Sequence, residues 1–496
     1  MISVSTVGLL LLVYALTKYF ISWYRLRHIP GPFWAGVTKF WQLKHTWNGT
    51  LYLESAEACF KYGMFGTLGP LIRVAPNELI TSDPELLRRM LNVRSPYRRS
   101  DWYEAIRVDP EHDNVLSERD DERHAMLRTK MSNGYAGKEI PNLEGAIDNV
   151  INKLVTLIDE KFSSTAGQHR PMDFGMLAQY LTMDVIGEIA FGKAFGFLED
   201  DEDKFSYIST TESTIPLIIL TGAFPWLAKI AQSPMMKALM PKDTDTYGLG
   251  KIMGVAKQVV RERFKPDATD HMDMLGSFIR HGLSQKDAES ETMIQILAGS
   301  DTTASAIRAT MLHLITNPRV LNQLMAEIQS SKISDPIKDS EARMMPYLQA
   351  VIKEGLRIHP PVTGLMLKDV PPGGDTVLGY YIPPGTKLGY CAFGLFWDPK
   401  IWGEDSRVFR PERWLEGTVE EIRRKENNLD LVFGHGRWQC LGKDVAKVEL
   451  NKAFVQLLRN FEMTIVDPEK PWSSFNAGVF IVHDMWIRVT KREPKL

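Results

Sequence analysis

The sequence contains few cysteines and almost no charge imbalance. Cys59, Cys391 and Cys440 are the only cysteines among 496 residues. An odd set of three is too small for a disulfide framework and fits a reducing compartment. The formal net charge is −2, so the composition gives no electrostatic argument for nucleic-acid binding. The sequence also lacks repeats, low-complexity linkers and a glycine-rich dinucleotide fingerprint.

The N-terminal stretch departs from the composition of the remaining chain. From Ile2 to Trp23 the residues are nearly all apolar, and Lys18 is the only charged one. About 22 helical residues would span roughly 33 Å, enough to cross a bilayer. We therefore predict a membrane anchor over residues 1–24, a Pro/Gly hinge over 25–36 and one body over 37–496. The basic residues after the anchor place the body in the cytosol; a cleaved signal peptide is the alternative.

The most distinctive stretch is Phe433-Gly434-His435-Gly436-Arg437-Trp438-Gln439-Cys440-Leu441-Gly442. Its glycines allow sharp turns and the close approach of a flat ligand, because they carry no Cβ. Cys440 precedes a helix-like run, whose positive end favours a thiolate. Phe433 can shield the sulfur, and Arg437 can reach an anionic group. These are the residue types needed to bind a haem iron through one thiolate. The alternative interpretation is that Cys440 is a buried structural cysteine.

A long helix is predicted from Ser284 to Asn317, between a capping-box-like start and a proline. Its middle reads Ala298-Gly299-Ser300-Asp301-Thr302-Thr303. Glycine inside a helix costs about 0.5–1 kcal/mol relative to alanine, and Asp and Thr compete for backbone hydrogen bonds. One explanation is a helix crossing that needs small residues. The other is a local opening of the helix, where Asp301 and Thr302 pass protons to a ligand.

The coarse pattern is mainly α with minor β sheets. We predict a hairpin over 71–81, a long loop over 95–118, a helix over 119–130, helices throughout 140–279, and a helix over 341–358. The predicted strands are 362–370, 375–381, 387–391, 461–466 and 479–489. Five apolar segments are candidate walls of a pocket: the 95–118 loop, residues 214–220, Ile294 with Leu297, residues 362–365 and residues 475–479. Residues 214–230 fit either the core or contact with a bilayer.

Residues 433–442 resemble the haem-binding loop of the cytochrome P450 family. That pattern is Phe, two residues, Gly, one residue, Arg, one residue, Cys, one residue, Gly. Phe433, Gly436 and Cys440 fall in register with it, as does the final glycine. Arg437 lies one place early, and Trp438 occupies the usual position of the arginine. The resemblance implies a P450 fold behind one N-terminal transmembrane helix, and haem b with Cys440 as its axial thiolate ligand.

Other segments resemble the family in the same order along the chain. Residues 298–303 are similar to its oxygen-activation motif, 354–357 to its Glu-x-x-Arg helix, and 409–414 to the segment that completes a Glu–Arg–Arg network. The resemblance implies that Asp301 and Thr302 are catalytic. It implies haem contacts from Cys440, Phe433, Gly436, Arg437, His124, Arg128, Lys368 and Ala298. It also implies a structural network of Glu354, Arg357 and Arg413. By themselves, the His124/Arg128 and Glu354/Arg357 pairs would be read as ordinary helix-surface pairs.

The function implied by the resemblance is a haem-thiolate monooxygenase in the endoplasmic reticulum membrane. It would activate O2 with electrons from an NADPH–cytochrome P450 reductase, with cytochrome b5 as a possible second donor, and oxidise an apolar small molecule. Arg123, Lys130, Lys443 and Lys447 are candidates for docking the reductase. The loop and the segment around Trp414 look like fungal enzymes of the pisatin-demethylase type, which suggests secondary metabolism. The alternatives are a haem-thiolate isomerase, dehydratase or peroxygenase, and a haem-binding sensor or carrier.

Overall fold

The computed structural model describes residues 4–65, 69–107, 109, 112–231, 233 and 242–493. Helices dominate this part of the chain, as the sequence predicts. They are α1 Val4–Arg25, α2 Phe33–Val37, α3 Phe40–Trp47, α4 Leu51–Phe65, α5 Pro84–Leu91, α6 Asp121–Tyr135, α7 Leu143–Leu157, α8 Phe174–Phe191, α9 Phe197–Asp200, α10 Tyr207–Ser213, α11 Ile215–Ala223, α12 Pro225–Ala231, α13 Gly248–Arg263, α14 Met274–Arg280, α15 Gln285–Ile315, α16 Pro318–Ser330, α17 Asp339–Ala342, α18 Pro346–Ile358, α19 Ala392–Phe396, α20 Pro399–Trp402, α21 Val419–Leu429 and α22 Lys443–Asn460. Short 3-10 helices include Asp101–Ile106, Pro411–Trp414, Asp430–Phe433 and Gly436–Trp438.

The strands form small sheets beside the helices. They are β1 Leu71–Ala75, β2 Glu78–Thr81, β3 Arg98–Arg99, β4 Met172–Asp173, β5 Lys368–Asp369, β6 Asp375–Val377, β7 Tyr380–Ile382, β8 Lys387–Tyr390, β9 Phe461–Ile465, β10 Ser473–Asn476, β11 Phe480–His483 and β12 Trp486–Lys491. One sheet has the order β1-β2-β8-β5-β3, with β2 and β8 parallel. The others have the orders β4-β12-β9, β10-β11 and β6-β7. The predicted hairpin over 71–81 is the antiparallel pair β1–β2.

Helix α15 is the centre of the fold, because α8, α13, α18 and α22 all pack against it. It begins where the sequence predicts: the side chain of Ser284 accepts a hydrogen bond from the amide of Asp287 at 3.2 Å. Its buried residues are a mixture of apolar and polar side chains, and packing against these neighbours stabilises a helix of this length far more than intrinsic propensity does. Residues on different faces of α15 therefore contact different neighbouring helices.

The crossing of α15 with α18 depends on a glycine. A Cβ at Gly355 would lie 1.9 Å from Oγ1 of Thr310 and 2.9 Å from its Cβ. Real Cβ atoms do not approach other atoms so closely, so only glycine fits between these helices without a shift of the backbone. Gly299 faces a second crossing, where its Cβ would lie 3.1 Å from Cδ1 of Ile186 on α8. The helix-crossing explanation for the small residues of α15 therefore holds at Gly299.

Several predicted elements differ from the structure. The helix predicted over 341–358 is two helices, α17 and α18, because Pro346 starts the second one at its first turn. The loop predicted over 95–118 contains β3 and the 3-10 helix Asp101–Ile106, and residues 108, 110 and 111 lie outside the described part. Only residues 368–369 of the strand predicted over 362–370 are paired as a strand. The helices predicted over 140–279 are interrupted by β4.

The N-terminal stretch forms a helix, as predicted. Helix α1 covers Val4–Arg25 and exposes large apolar side chains such as Leu9 and Leu10. Within the described residues, however, none of the helices combines the length and apolar character needed to span a bilayer. The anchor predicted over residues 1–24 stays a prediction, and residues 1–3 of it lie outside the described part.

Candidate functional site: a cavity between α15 and the Cys440 loop

A cavity of about 890 Å³ lies between α15 and the loop of residues 433–442. All five segments predicted as pocket walls contribute to it, and most of the lining side chains are apolar. They include Trp102, Leu116, Leu217, Ile294, Leu297, Val362, Leu365 and Val479. Cys440 faces the cavity from one side, and Asp301 and Thr302 face it from α15. A cavity of this size and character accommodates apolar organic molecules.

The Cys440 loop is held by two glycines and one short hydrogen bond. Gly434 and Gly436 have positive φ angles of 73° and 58°, a conformation that favours glycine. A Cβ at Gly436 would also lie 2.4 Å from the carbonyl oxygen of Leu91. The amide of Cys440 donates to the carbonyl of Phe433 at 2.7 Å, which closes the loop. The sulfur is thereby presented to the cavity just before α22 begins at Lys443.

Several opposing effects act on the pKa of the Cys440 thiol. Burial raises the pKa of its thiol, while hydrogen bonds from the amides of Gly442 and Lys443 and the charge of Arg128 lower it. The prediction that a helix start favours the thiolate therefore identified one of the opposing effects, and burial outweighs it. A cation placed against the sulfur would shift this balance toward the thiolate, since opposite charge stabilises the ionised form.

The displaced arginine is directed away from Cys440. Nη1 of Arg437 lies 2.8 Å from Oδ2 of Asp121, and Nη2 donates to the carbonyl of Ser95. Trp438 lines the cavity at the position where the resembled family has its arginine. Nζ of the buried Lys368 lies 4.8 Å from the centre of the Trp438 ring, and it donates to Tyr103 and to the carbonyl of Met366. Burial, reinforced by the charge of Arg99, lowers the pKa of Lys368 well below its ordinary value, so this amine lies over the aromatic face of Trp438 without a fixed positive charge.

Basic side chains gather at this end of the cavity. Arg99 is buried and donates from Nη1 to the carbonyls of Val115 and Glu118 at 2.7 and 2.9 Å. Arg128 donates to the carbonyl of Gln439 at 2.7 Å. Burial, reinforced by the surrounding cations, lowers the pKa of His124 to about 3, so this imidazole is neutral near pH 7.

Three buried nitrogens of the cluster complete no hydrogen bond among the described residues: Nε of Arg99, Nε2 of His124 and Nε of Arg437. Buried polar groups of native proteins are normally paired, and Arg99 lines the cavity, so its unpaired Nε indicates a missing acceptor there. Of the basic side chains, Arg99, Arg128 and Lys368 line the same cavity as Cys440. A haem fits these observations, because it offers a metal to the sulfur and carboxylates to the basic cluster.

Helix α15 does not open at residues 298–303, contrary to one of the two explanations for that cluster. The helix is continuous from Gln285 to Ile315, and the hydroxyl of Thr302 donates to the carbonyl of Ala298 at 2.9 Å. The Oδ1 atom of Asp301 accepts from Nε2 of Gln179 on α8 at 2.6 Å. Burial raises the pKa of Asp301, although the Gln179 hydrogen bond and Arg308 oppose it. The raised pKa lets this carboxyl hold and release a proton closer to neutral pH.

The structure brings Glu354, Arg357 and Arg413 into one buried network. Arg357 donates to both carboxylate oxygens of Glu354, at 2.8 and 2.9 Å, and Trp414 donates to one of them at 3.0 Å. Burial opposes the ionisation of Glu354, but the two arginines outweigh it and lower its pKa. Arg357 also donates to the carbonyls of Phe396 and Ser406. The network therefore ties α18 to the segments that follow it.

Sequence reasoning missed three buried residues of this region, of which Arg99 and Glu449 line the cavity. Arg99 lies within the segment predicted as a loop, where the adjacent Arg98 and Arg99 were the available signal. Glu291 and Glu449 are buried acids on helices, and burial raises the pKa of both, that of Glu291 to about 8. Glu449 follows Val445 and Ala446 one turn earlier on α22, so an acidic residue next to an apolar stripe was a signal there; Glu291 has Asp287 and Gln295 one turn away and offered no such signal. Burial therefore favours the neutral form of both acids.

Comparison with known proteins is consistent with this geometry. Residues 62–489 match the family model described as Cytochrome P450. The chain is 42% identical to Cytochrome P450 monooxygenase ABA1 of Pyricularia oryzae, over 97% of this chain and 95% of that protein. It is 39% identical to Cytochrome P450 monooxygenase aba1 of Botryotinia fuckeliana, over 94% and 92%. It is 30% identical to Cytochrome P450 monooxygenase gsfF of Penicillium aethiopicum, over 96% and 97%.

Proposed function

Because the chain belongs to the cytochrome P450 family and is a cytochrome P450 monooxygenase, we propose that it oxidises an apolar small molecule at Cys440-bound haem b, in a fungal secondary-metabolite pathway. One observation carries the proposal: Cys440, the Asp301–Thr302 pair and three basic side chains line one mostly apolar cavity, the basic ones being Arg99, Arg128 and Lys368. The similar fungal monooxygenases support the pathway class. Hydroxylation, epoxidation, demethylation and oxidative ring formation all fit an apolar cavity.

The residues around the cavity would have two kinds of role, binding the haem and orienting the substrate. Cys440 would bind the iron, with Phe433 and Gly436 shaping the loop around the sulfur. Arg99, His124, Arg128 and Lys368 would hold the carboxylates, and Ala298 would lie against the ring. A bound haem supplies the activation of O2 and the oxidation of the substrate. The apolar walls would orient the substrate and exclude bulk water.

Asp301 and Thr302 would supply protons. Asp301 has a pKa raised by burial and a firm hydrogen bond from Gln179, so its carboxyl is held in place and able to exchange a proton. The hydroxyl of Thr302 donates its hydrogen bond to the carbonyl of Ala298, but the hydroxyl oxygen can still accept a hydrogen bond from another group. Together they would hold a proton donor at the wall of the cavity that faces Cys440.

Electrons would come from a separate NADPH-dependent reductase, the usual partner of the family, with cytochrome b5 as a second donor. Of the four basic residues predicted for docking, Arg123 is occupied by ion pairs with Glu118 and Asp287 at 2.7 and 2.9 Å. Lys443 lies 3.0 Å from Asp430 and is half-buried. The Lys443–Lys447 face of α22, beside the Cys440 loop, is the surface that we assign to the reductase.

We place the enzyme at the surface of the endoplasmic reticulum membrane. Exposed aromatic and aliphatic side chains lie on α2 and α3, namely Phe33, Trp34, Phe40 and Trp47, and on α11 and α12, namely Leu217, Trp226 and Ile230. Helix α3 packs on α11, and α11 packs on α12, so these side chains belong to one region. A patch of this kind associates with a lipid surface, and Leu217 also lines the cavity, which would admit apolar substrates from the bilayer.

The test is the absorption spectrum of the reduced, carbon-monoxide-bound protein. We expect a strongly red-shifted Soret band in the wild type and in Cys391→Ser, and its loss in Cys440→Ser. Cys391 is a matched control, because it is a buried cysteine outside the cavity. An unshifted band in the wild type would contradict thiolate ligation. NADPH consumption that requires the reductase would separate a monooxygenase from a peroxygenase, an isomerase or a haem carrier.

A further inference from the structure

One wall of the cavity is formed where the chain after α18 meets the turn between β10 and β11. The amides of Thr363 and Gly364 both donate to the carbonyl of Gly478, at 2.8 and 3.1 Å. Val362 pairs with Val479 as an antiparallel bridge, and all five residues line the cavity. Backbone hydrogen bonds therefore join the two segments, which fixes the position of the side chains between them.

Asn476, the last residue of β10, has its side-chain amide held in one orientation in this wall. Its Oδ1 accepts from the hydroxyl of Thr363 at 2.9 Å and from the backbone amide of Gly478 at 3.1 Å. A backbone N–H can only donate, so the side-chain atom that it meets must be the carbonyl oxygen of the amide. The other atom of the amide group is therefore the nitrogen, Nδ2.

This nitrogen completes no hydrogen bond with another described residue, although it is buried. Asn476 is 3% exposed, and it lines the cavity beside Ala477 and Val479. An amide nitrogen carries two N–H donors, and buried donors of native proteins are normally paired. An acceptor is therefore missing at this wall, and a molecule bound in the cavity can supply it.

We propose that Asn476 determines substrate specificity, and that its Nδ2 donates a hydrogen bond to a neutral oxygen of the substrate, a carbonyl or a hydroxyl. This inference rests on the proposed function, in which the cavity binds an apolar small molecule. The substrate is then an apolar skeleton that carries at least one oxygen before it is oxidised. A pure hydrocarbon that displaced water from the amide would leave the N–H groups unpaired, and an oxygen-bearing molecule avoids that cost.

The surroundings of the amide favour a neutral oxygen over a carboxylate. Val362, Ala477 and Val479 give this wall an apolar surface, and the donor itself is an uncharged amide. Moving an ionised carboxylate from water to an apolar surface costs far more than moving a carbonyl or a hydroxyl. One neutral donor offsets little of that difference, so we assign ketones and alcohols to this wall rather than carboxylates.

The test compares the binding of four molecules that share one ring: cyclododecane, cyclododecanone, cyclododecanol and cyclododecanecarboxylate. Equilibrium dialysis against the haem-loaded protein gives each dissociation constant. In Asn476→Leu we expect the ketone and the alcohol to bind roughly 5- to 10-fold more weakly than in the wild type, the factor that corresponds to one hydrogen bond. The hydrocarbon should bind equally well or more tightly. In the wild type, the carboxylate should bind more weakly than the ketone.

Asn476→Asp separates the role of the donor from a role in folding. Its carboxyl can still accept from Thr363 and Gly478, and it has a donor toward the cavity only when it is protonated. The ketone should therefore bind this variant more weakly as pH rises from 5 to 9, with a smaller change for the hydrocarbon and a constant affinity in the wild type. A ketone affinity of Asn476→Asp that does not change with pH relative to the hydrocarbon would overturn the inference.

Gln295→Leu provides the matched control. Gln295 is another buried amide that lines the cavity, but its Nε2 donates to the sulfur of Met274 and its unpaired atom is Oε1. A ketone cannot use a second acceptor, so we expect cyclododecanone to bind this variant as tightly as the wild type.

An unchanged ketone affinity in Asn476→Leu would overturn the inference. Equal weakening of ketone and hydrocarbon, an equal loss in Gln295→Leu, or tighter binding of the carboxylate than of the ketone would also overturn it. None of these results touches the proposed function, which the carbon monoxide spectrum of the same samples tests separately. That spectrum also reports that each variant is folded.

Discussion

Nε of Arg413 lies 2.9 Å from Oε1 of Glu354, and both side chains are almost completely shielded from solvent. Glu354 thereby compensates two buried guanidinium groups at once. We expect Glu354→Gln to lower the free energy of unfolding by about 3–5 kcal/mol, because it strands buried positive charge. Chemical denaturation of the haem-loaded protein measures this. Glu416→Gln, which removes the exposed partner of Arg410, should cost less than about 1 kcal/mol; equal losses would contradict the argument.

Arg99 and Arg98 are neighbours with opposite environments. Arg99 is buried beside the cavity with a free Nε, whereas Arg98 is exposed and lies 3.7 Å from Asp121. A hydrogen bond to a charged group is worth roughly 1.5–3 kcal/mol, so Arg99→Ala should speed haem loss roughly 10- to 100-fold. Transfer of haem to apomyoglobin reports the rate. Arg98→Ala should lose haem at the wild-type rate, and similar losses in both variants would remove Arg99 from the binding cluster.

Glu291 makes stability depend on pH. One oxygen accepts from the amide of Val115 at 2.6 Å and the other has no partner among the described residues. Burial raises its pKa to about 8 from an ordinary value of 4.5. The folded protein therefore binds more protons than the unfolded chain between those values, and this group costs stability as pH rises through that window, on the order of 1 kcal/mol per pH unit.

Glu291→Gln should remove that dependence. The variant should gain stability relative to the wild type as pH rises from 5 to 8, measured by urea denaturation at each pH. Glu289→Gln is the control, because Glu289 lies on the same helix in a partly exposed pair with Arg261. A difference between wild type and Glu291→Gln that stays constant over this range would contradict the assignment.

Charge reversal on α22 should slow reduction by the reductase. Lys443→Glu with Lys447→Glu removes positive charge beside the Cys440 loop, and we expect a severalfold slower reduction at low salt, with the difference shrinking as salt screens the charges. Stopped-flow reduction under carbon monoxide measures the rate. Lys229→Glu, on α12 in the exposed apolar region, is the control and should reduce normally. A salt-independent defect would point to altered folding of the loop instead.

Sequence patterns predicted the local features of the site well. The Cys440 loop, the start of α15 and the β1–β2 hairpin depend on residues close together in the chain, and glycine, capping and alternation patterns describe them. The buried Glu354 pair needed the resemblance, because two residues three apart on a helix are more often exposed than buried. Burial is a property of the whole fold, and a short pattern does not contain it.

The remaining features depend on residues far apart. The hydrogen bond that fixes Asp301 comes from Gln179, 122 residues earlier, and the ion pair of Arg437 comes from Asp121 on α6. The predicted opening of α15 was wrong for a different, local reason. The hydroxyl of Thr302 bonds one turn back along the helix, which satisfies the side chain without breaking the backbone pattern.

The close approach of Gly355 to Thr310 also limits where the cavity of this protein can change shape. Since even a methyl group at residue 355 would collide there, the spacing of the two helices that carry Glu354 and Asp301 depends on this glycine. Changes of specificity are then confined to the walls that are free to vary, such as residues 101–106 and 214–223. A change of substrate specificity would therefore arise from substitutions in the loops and short helices, and the spacing of α15 and α18 would stay the same.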